Sequence, residues 1–307
     1  MSSNDTTSIG TGSGGQNTAT RSGLARLYSG WGSPILRFMA KTLPFTRSGD
    51  RLFALVHFMI RQRRLPQRRM LFNDYLLRLK LSGELLSFPR QFVSDKEYCK
   101  LYVNHVIGSG RTVPTVSVLR DKAQVQEGAF PDDCVIKATH SSNRTTIRRN
   151  AEPLDLEHIR SYLDDSLYQR TRELNYKYLE PKVIVEPIMF DAQMIELKIH
   201  CYKGRAKIIS VQHQDEALER LDRDWNRLAI EQRRRPLPAV PTPRPSCLEA
   251  VLEAADKLSQ DFEYIRVDVF VRDPDWVVGE LTNLHMNIDV PFKNLEQERL
   301  FSQIFFS

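Results

Sequence analysis

The chain has 307 residues, 41% hydrophobic and 27% charged, with a formal net charge of +6. That is an ordinary composition for a soluble globular protein of two or three folding units, long enough to bury a core without staples, which excludes a disulfide miniprotein. No apolar stretch reaches ~18 residues, which excludes an ordinary transmembrane helix, and the start lacks the basic-then-apolar order of a signal peptide, so a cytoplasmic protein is expected. Cys99, Cys134, Cys201 and Cys247 show no paired Cys-x-x-Cys spacing. They read as free thiols rather than a disulfide framework or zinc site.

Residues 1–22 are mostly Ser, Thr, Gly and Asn and read as a disordered tail, because they cannot bury enough surface to offset ordering entropy. Residues 23–90 read as a helical, basic region. Pro34, Pro44 and Pro66 divide it into short helices, and Met70 to Leu81 carries an amphipathic pattern with Gly83 near its end. Residues 21–70 hold eleven Arg and Lys against Asp50 alone, whereas the 237 residues after them sum to −3. Basicity therefore belongs to this region, with five arginines between Arg61 and Arg69. It suits either a solvated helix face or an anionic partner outside the chemistry, including the anionic surface of a membrane, which the short apolar run Leu52–Ile60 could enter but not span. The missing aromatic interleaving and the acidic remainder argue against nucleic acid.

Residues 91–307 read as the main domain, in two parts, 91–190 and 191–307. A helix is predicted from Asp95 to Val106. Strands are predicted at Cys134–Ala138 and Lys182–Glu186, and at Met194–Cys201 and Ala206–Gln212 around a turn through Gly204. Arg233–Pro245 holds five prolines and reads as a loop. Ser246 opens a helix with a capping box closed by Glu249. Trp225 is expected to pack rather than stack on a ligand.

Tyr264–Asn283 carries the most chemistry. Ile265, Val267, Val269 and Val271 alternate with Arg266 and Asp268 along one predicted strand, and Trp276, Val278, Glu280 and Thr282 share a face of the next. With a three-residue loop of Asp273, Pro274 and Asp275, Asp268 falls opposite Glu280 and Arg266 opposite Thr282. Directly opposed like charges are destabilising. A divalent cation between them resolves that, as does neutralisation by neighbouring Arg or Lys. Two hard carboxylate ligands suit magnesium held with nucleotide phosphates.

Arg266-Val-Asp, a turn, then Gly279-Glu-Leu-Thr resembles the metal-binding hairpin of ATP-grasp enzymes, and most of all the TupA-like branch, named for teichuronopeptide biosynthesis. In the same order, Phe72-Asn-Asp-Tyr-Leu-Leu-Arg-Leu-Lys, Ser94-Asp-Lys-Glu-Tyr-Cys-Lys, Val135-Ile-Lys-Ala-Thr-His-Ser-Ser-Asn, Val183-Ile-Val-Glu-Pro, Glu196-Leu-Lys-Ile-His-Cys-Tyr-Lys-Gly and Asp222-Arg-Asp-Trp resemble that branch's other motifs. Together they cover about residues 68–292.

The resemblance implies an α+β ATP-grasp fold, two subdomains gripping ATP, behind the helical basic N-terminal region. It implies ATP and Mg2+ as cofactors. Lys96, Lys100 and Lys137 would meet phosphates, and His140, Ser141 and Ser142 would form the loop covering them. Glu186 and the backbone at Ile188 would read adenine, and Glu196 would approach the ribose. Asp268 and Glu280, with Thr282 and Asn283 beside them, would form the metal site, and Arg266 and Lys198 would act on the reacting groups. The implied activity is a carboxylate–amine ligase working through an acyl-phosphate in cell-surface polysaccharide biosynthesis, joining a small amine donor to a carboxylate-bearing glycan or peptide-glycan acceptor. A sugar phosphotransferase and a nucleotide-binding protein without turnover are the alternatives. The covering loop departs from the family: His140-Ser-Ser-Asn143 stands where glycines are usual, which limits backbone approach to phosphate. Thr282 stands where many ATP-grasp enzymes place Asn, and His285 lies close enough in sequence to touch a substrate. No Walker A or nucleophile-elbow motif is present, and Gly10-Thr-Gly-Ser-Gly-Gly lies in the low-complexity tail with no strand before it.

Overall fold

The computed structural model describes residues 33–189, 194–213 and 216–307. The tail read at 1–22, its glycine cluster and the start of the basic region lie outside them. Two antiparallel sheets form the body. The smaller contains β1 (Ser117–Leu119), β2 (Cys134–Ala138), β3 (Thr145–Arg148) and β4 (Val183–Glu186) in the order β1-β4-β2-β3. The larger contains β5 (Ile195–Tyr202), β6 (Arg205–Gln212), β7 (Leu218–Leu221), β8 (Tyr264–Arg272) and β9 (Asp275–Thr282) in the order β7-β6-β5-β8-β9.

Alternation along the central strands gives the larger sheet two different faces. Leu197, Ile199, Cys201, Val267 and Val269 pack against Cys99 and Val103 of one helix (Lys96–Ile107) and against a second helix (Leu248–Leu258). On the opposite face, His200, Ile208 and Tyr264 meet a cluster built from two more helices, Phe72–Leu81 and Leu295–Phe306. Phe72 is fully buried there, with ring centroids 4.6 Å from Phe301 and 5.7 Å from Tyr264. Truncating such a ring costs about 3–5 kcal/mol. That face is thus sealed at one end and open at the other, where Lys198, Ser210, Arg266 and Glu280 line a cavity.

In chain order the helices are α1 (Ser33–Thr42), α2 (Arg47–Gln62), α3 (Phe72–Leu81), α4 (Phe88–Ser94), α5 (Lys96–Ile107), α6 (Leu156–Arg160), α7 (Leu167–Thr171), α8 (Leu248–Leu258) and α9 (Leu295–Phe306). Pro44 and Pro66 separate helices as predicted, whereas Pro34 sits in the first turn of α1, where its missing N–H is harmless. Asp95 is the N-cap of α5, accepting from the amides of Glu97 and Tyr98. The basic region is not a separate layer, since Phe58 of α2 shares a core with α3 and α9. The predicted capping box at Ser246 does not form. Cys247 is the N-cap of α8 and has no side-chain cap bond. Instead Asp273, in the β8–β9 turn, accepts from the Ser246 and Cys247 amides at 3.0 and 3.2 Å and from the Ser246 hydroxyl at 2.7 Å. A carboxylate at a helix N-terminus meets both the orphan amides and the dipole. Among the described residues no helix is long and apolar enough to cross a membrane.

Candidate active site

The β8–β9 hairpin delivers the two carboxylates by a different route from the predicted one. Arg272 pairs with Asp275, so Asp273 and the cis-linked Pro274 alone form the loop. Val269 then pairs with Val278 but Asp268 with Glu280, so β9 carries one extra residue, Gly279, in a bulge. A Cβ on Gly279 would lie 2.6 Å from the Phe270 ring. One residue fewer in the turn and one more in the strand cancel, and Asp268 faces Glu280 and Arg266 faces Thr282 as expected. The shared face predicted for Trp276, Val278, Glu280 and Thr282 is corrected. The bulge reverses the alternation, leaving Trp276, Val278 and Leu281 in the core and Glu280 and Thr282 beside the cavity.

Asp268 is buried beneath Arg266, whose Nε and Nη2 donate to its two oxygens at 2.6 and 2.5 Å. Arg266 also reaches the Thr282 hydroxyl at 3.1 Å and His285 Nδ1 at 3.0 Å, and lies 3.6 Å from Glu280. Burial pushes the Asp268 carboxyl up, Arg266 pulls it back down, and Glu280 and Glu196 add to the rise. Burial works against the Arg266 charge, but Asp268 and Glu280 more than offset it and raise its pKa. Burial pushes Glu280 up too, yet Lys96 and Arg266 prevail and hold it below the usual range. Glu280 accepts from the Thr282 hydroxyl at 3.1 Å. Lys198, directly across from Asp268 on β5, pairs with Glu196 at 2.8 Å.

A second cluster lies on the smaller sheet. Lys137 of β2 and Lys100 of α5 grip the two oxygens of Glu186 at 2.7 and 2.5 Å. The carboxylate expected to read adenine is therefore committed to the two lysines expected to meet phosphates. Ile188 follows it, partly buried, beyond the end of β4. Lys96 links the clusters, since its charge is felt by Glu280 and it in turn feels Lys137. The loop from His140 to Asn143 is tied down. His140 Nε2 meets the Asp165 carbonyl at 3.1 Å, the Ser141 hydroxyl donates to the Asp165 carboxylate at 2.5 Å, and Lys96 donates to the Ser141 carbonyl at 2.6 Å. Asn143 takes φ 61°, a left-handed conformation Asn tolerates, so the loop turns without the family's glycine.

A cavity of about 690 Å³ brings together Lys96, Ser142, Lys198, Arg266, Glu280 and Thr282. Lys100, Lys137, Glu186, Ile188 and Glu196 lie outside it, as do His140 and Ser141, whose side chains serve the loop's own structure. Asn283 is corrected from the metal set. It is buried, with its amide donating to the Arg90 carbonyl and the Ser94 hydroxyl and its oxygen accepting from Arg90 at 2.8 Å. The cavity also gains residues the motifs did not indicate: Arg37, Lys41, His57 and Arg61 from the basic region, and Ser210, Gln212 and Arg235 beyond the hairpin. The only sequence signal for the first group was the charge imbalance, and the expectation that this region stands apart from the site is corrected. Trp225 packs as expected, donating to the Thr242 carbonyl at 3.0 Å.

The family model described as TupA-like ATPgrasp matches residues 76–305. A comparison with curated proteins gives no match. Among solved structures, the chain is similar to D-alanine–D-alanine ligase from Helicobacter pylori at 15% identity and a TM-score of 0.39, over 64% of this chain and 53% of that one. It is similar to phosphoribosylamine–glycine ligase from Thermotoga maritima at 14% identity and a TM-score of 0.38, over 68% and 50%. It is also similar to the ATP-grasp ligase PsnB complexed with minimal precursor, at 14% identity and a TM-score of 0.34, over 64% and 55%. The chain thus spans about half the length of these ligases, and its assignment rests on the sequence match instead. That match covers three quarters of the residues, and the chain belongs to the TupA-like ATP-grasp family.

Proposed function

We propose that this protein is an ATP-dependent carboxylate–amine ligase that activates its acceptor as an acyl-phosphate, in the making or modification of a carboxylate-bearing glycan or peptide-glycan. The observation that carries the reading is the facing pair Asp268 and Glu280 beside Arg266 and Lys198: Glu280, Arg266, Lys198 and Lys96 line one cavity, Asp268 lies buried behind Arg266, and the Lys96 charge reaches Lys137 of the second cluster. Among the described residues no group of three or more His, Cys, Asp or Glu is placed to hold a metal. Two carboxylates are what magnesium takes when phosphates and water complete its shell. Arg266 engages both Asp268 oxygens, but each has a second lone pair, so the donor set fits. Bound there, magnesium would supply charge neutralisation to the transferring phosphoryl group.

The chain's own residues do the rest. Lys137 and Lys100, preset by Glu186, orient phosphate oxygens as point charges. Arg266 draws the acceptor carboxylate against the phosphoryl group and stabilises charge that develops when the amine attacks. Lys198 opposes the same charge from β5. An acceptor labelled with 18O in its carboxylate tests the reaction. Label in the released phosphate supports the ligase, and a phosphorylated product without transfer refutes it in favour of a phosphotransferase.

A further inference from the structure

The N-terminal helices present a surface that the ligase reading does not use. The surface expected from the sequence, the apolar run Leu52–Ile60 followed by five arginines, is not the one that forms. Phe53, Ala54, His57 and Phe58 are buried in the body. Of the arginines, Arg61 meets Asp289 at 2.9 Å, and Arg64 is held by Asp74 and Glu298 at 2.7 and 3.0 Å.

What stays outside is one face shared by α1 and α2. Ile35 and Phe38, a turn apart on α1, are 55% and 67% exposed, and Leu52 and Leu55, a turn apart on α2, are 49% and 36% exposed. The two helices meet over Leu36, Ala40 and Phe53, with Met39 and Val56 half-buried in the seam. Met39 and Val56 stand four positions after Ile35 and Leu52, so the seam joins the two outward rows into one apolar strip.

Cations flank the strip. Arg37 and Lys41 on α1 and Arg47 and Arg51 on α2 are all exposed, and none makes an ion pair with any described residue. Asp50, the only acid between residues 33 and 63, is buried and held by Arg172 at 2.8 Å. Arg172 also donates to the carbonyls of Ala40, Leu43 and Pro44 at 2.7–3.0 Å, which satisfies the orphan carbonyls at the end of α1 and fixes that helix against α2 and α7. The strip is thus apolar in the middle, positive at its edges, and carried on helices built into the body.

A soluble polyanion would be met by the cations alone and gives four exposed apolar side chains no partner. A second copy of the chain would cover those side chains but would bring the cations of both copies together. An anionic bilayer answers both features. Apolar side chains enter the boundary between headgroups and acyl chains, while Arg and Lys lay their stems along it and reach lipid phosphates. We propose that α1 and α2 dock this protein peripherally on an anionic phospholipid surface. Ile35, Phe38, Leu52 and Leu55 enter the interface, and Arg37, Lys41, Arg47 and Arg51 pair with headgroups. Arg37 and Lys41 also line the active-site cavity, so docking sets the rim of that cavity against the headgroups. Both helices lie before the family match at residues 76–305. This surface goes beyond the ligase reading and does not rest on it.

Co-sedimentation of the full chain with vesicles tests it, using mixed phosphatidylglycerol and phosphatidylcholine against phosphatidylcholine alone, at low and high salt. At low salt the anionic vesicles should bind about tenfold or more tighter than the neutral ones, and high salt should remove most of that advantage. Phe38→Ser with Leu52→Ser should weaken binding to the anionic vesicles about tenfold or more. Arg47→Gln with Arg51→Gln should do the same at low salt. Neither pair should lower the melting temperature or change the affinity for Mg2+ with the non-hydrolysable analogue AMPPNP, because all four side chains are exposed and none lines the cavity. Equal partition into neutral vesicles, or none into either, would overturn the proposal. So would anionic binding untouched by the apolar pair, which would mark a contact that any soluble polyanion makes. A native dimer in sedimentation equilibrium that the apolar pair dissociates, with vesicle binding retained, would give the face to a second copy. Failure of the native protein to bind Mg2+–AMPPNP would count against the ligase reading alone.

Discussion

Replacing Arg266 with Met should destabilise the protein through the carboxylate it leaves behind. Arg266 and Asp268 are 6% and 1% exposed, and the guanidinium satisfies both carboxylate oxygens. Removing one partner of such a pair strands a buried charge, at a cost of about 3–5 kcal/mol, and here the stranded charge also faces Glu280. At roughly 2–4 °C per kcal/mol for a large domain, the melting temperature should fall by about 6–20 °C. The discriminating construction is Arg266→Met with Asp268→Asn, which removes the stranded charge as well. It should recover at least about 2 kcal/mol, or roughly 4 °C or more, although it loses one more native side chain. Thermal melts without nucleotide or magnesium measure all three proteins. A double variant melting at or below the single one would refute the reasoning and place the energy in the contacts of Arg266 with Thr282 and His285.

Glu280→Gln should abolish magnesium-dependent ATP turnover yet shift the melting temperature by no more than about 4 °C, because its side chain is only partly buried and its Arg266 contact is long at 3.6 Å; a larger shift would make Glu280 structural. Lys137→Ala should weaken ATP binding about tenfold by calorimetry, one charge-assisted contact being lost, and an unchanged affinity would remove the phosphate role. Asp273→Ala should lower the melting temperature by uncapping α8 while leaving nucleotide affinity untouched, and a change in affinity would instead tie the turn to the site. Burial pushes Glu173 up to about 7, with Lys80 opposing and Asp289 adding. A carboxyl whose folded pKa is raised costs stability increasingly as pH climbs from its ordinary value through 7. Glu173→Gln should therefore melt like the native protein at pH 5 and above it at pH 8; the same difference at both would refute that.

Strand and helix identities were readable wherever alternation or helical spacing reported burial, which is why β2, β4, β5, β6 and α5 lie where expected. The facing of Asp268 and Glu280 was readable for another reason. The acids' side chains must share a face, and the turn and the bulge compensate one another, so a wrong loop length still gave the right partners. The bulge itself depends on Gly279 meeting the Phe270 ring, which no spacing rule reports. Asn283 entered the metal set only through the family resemblance, but Arg90, 193 positions away, claims it. The cap of α8 was misread for the same reason: a local pattern at Ser246 lost to Asp273 from 27 positions away. The largest omission was Arg37 and Lys41. Their place depends on Arg172 holding the end of α1 from about 130 positions downstream, so charge revealed the region but not where it folds.

The shared core of α3 and α9 bears on how the chain is made. The Phe72 amide donates to the Ser302 hydroxyl, 230 positions later, and the Phe72 ring rests on Phe301 and Phe305. At translation speeds of about 5–20 residues per second, α3 leaves the ribosome on the order of ten to fifty seconds before its partner exists. For that interval Phe72 and Leu76, fully buried in the folded protein, are available to any other apolar surface. Pairing so distant in sequence is also slow once both halves are present. Nascent-chain handling by holding chaperones should therefore matter more to the yield of this protein than the stability of its finished fold, and slowing translation between α3 and α9 should reduce soluble protein rather than increase it.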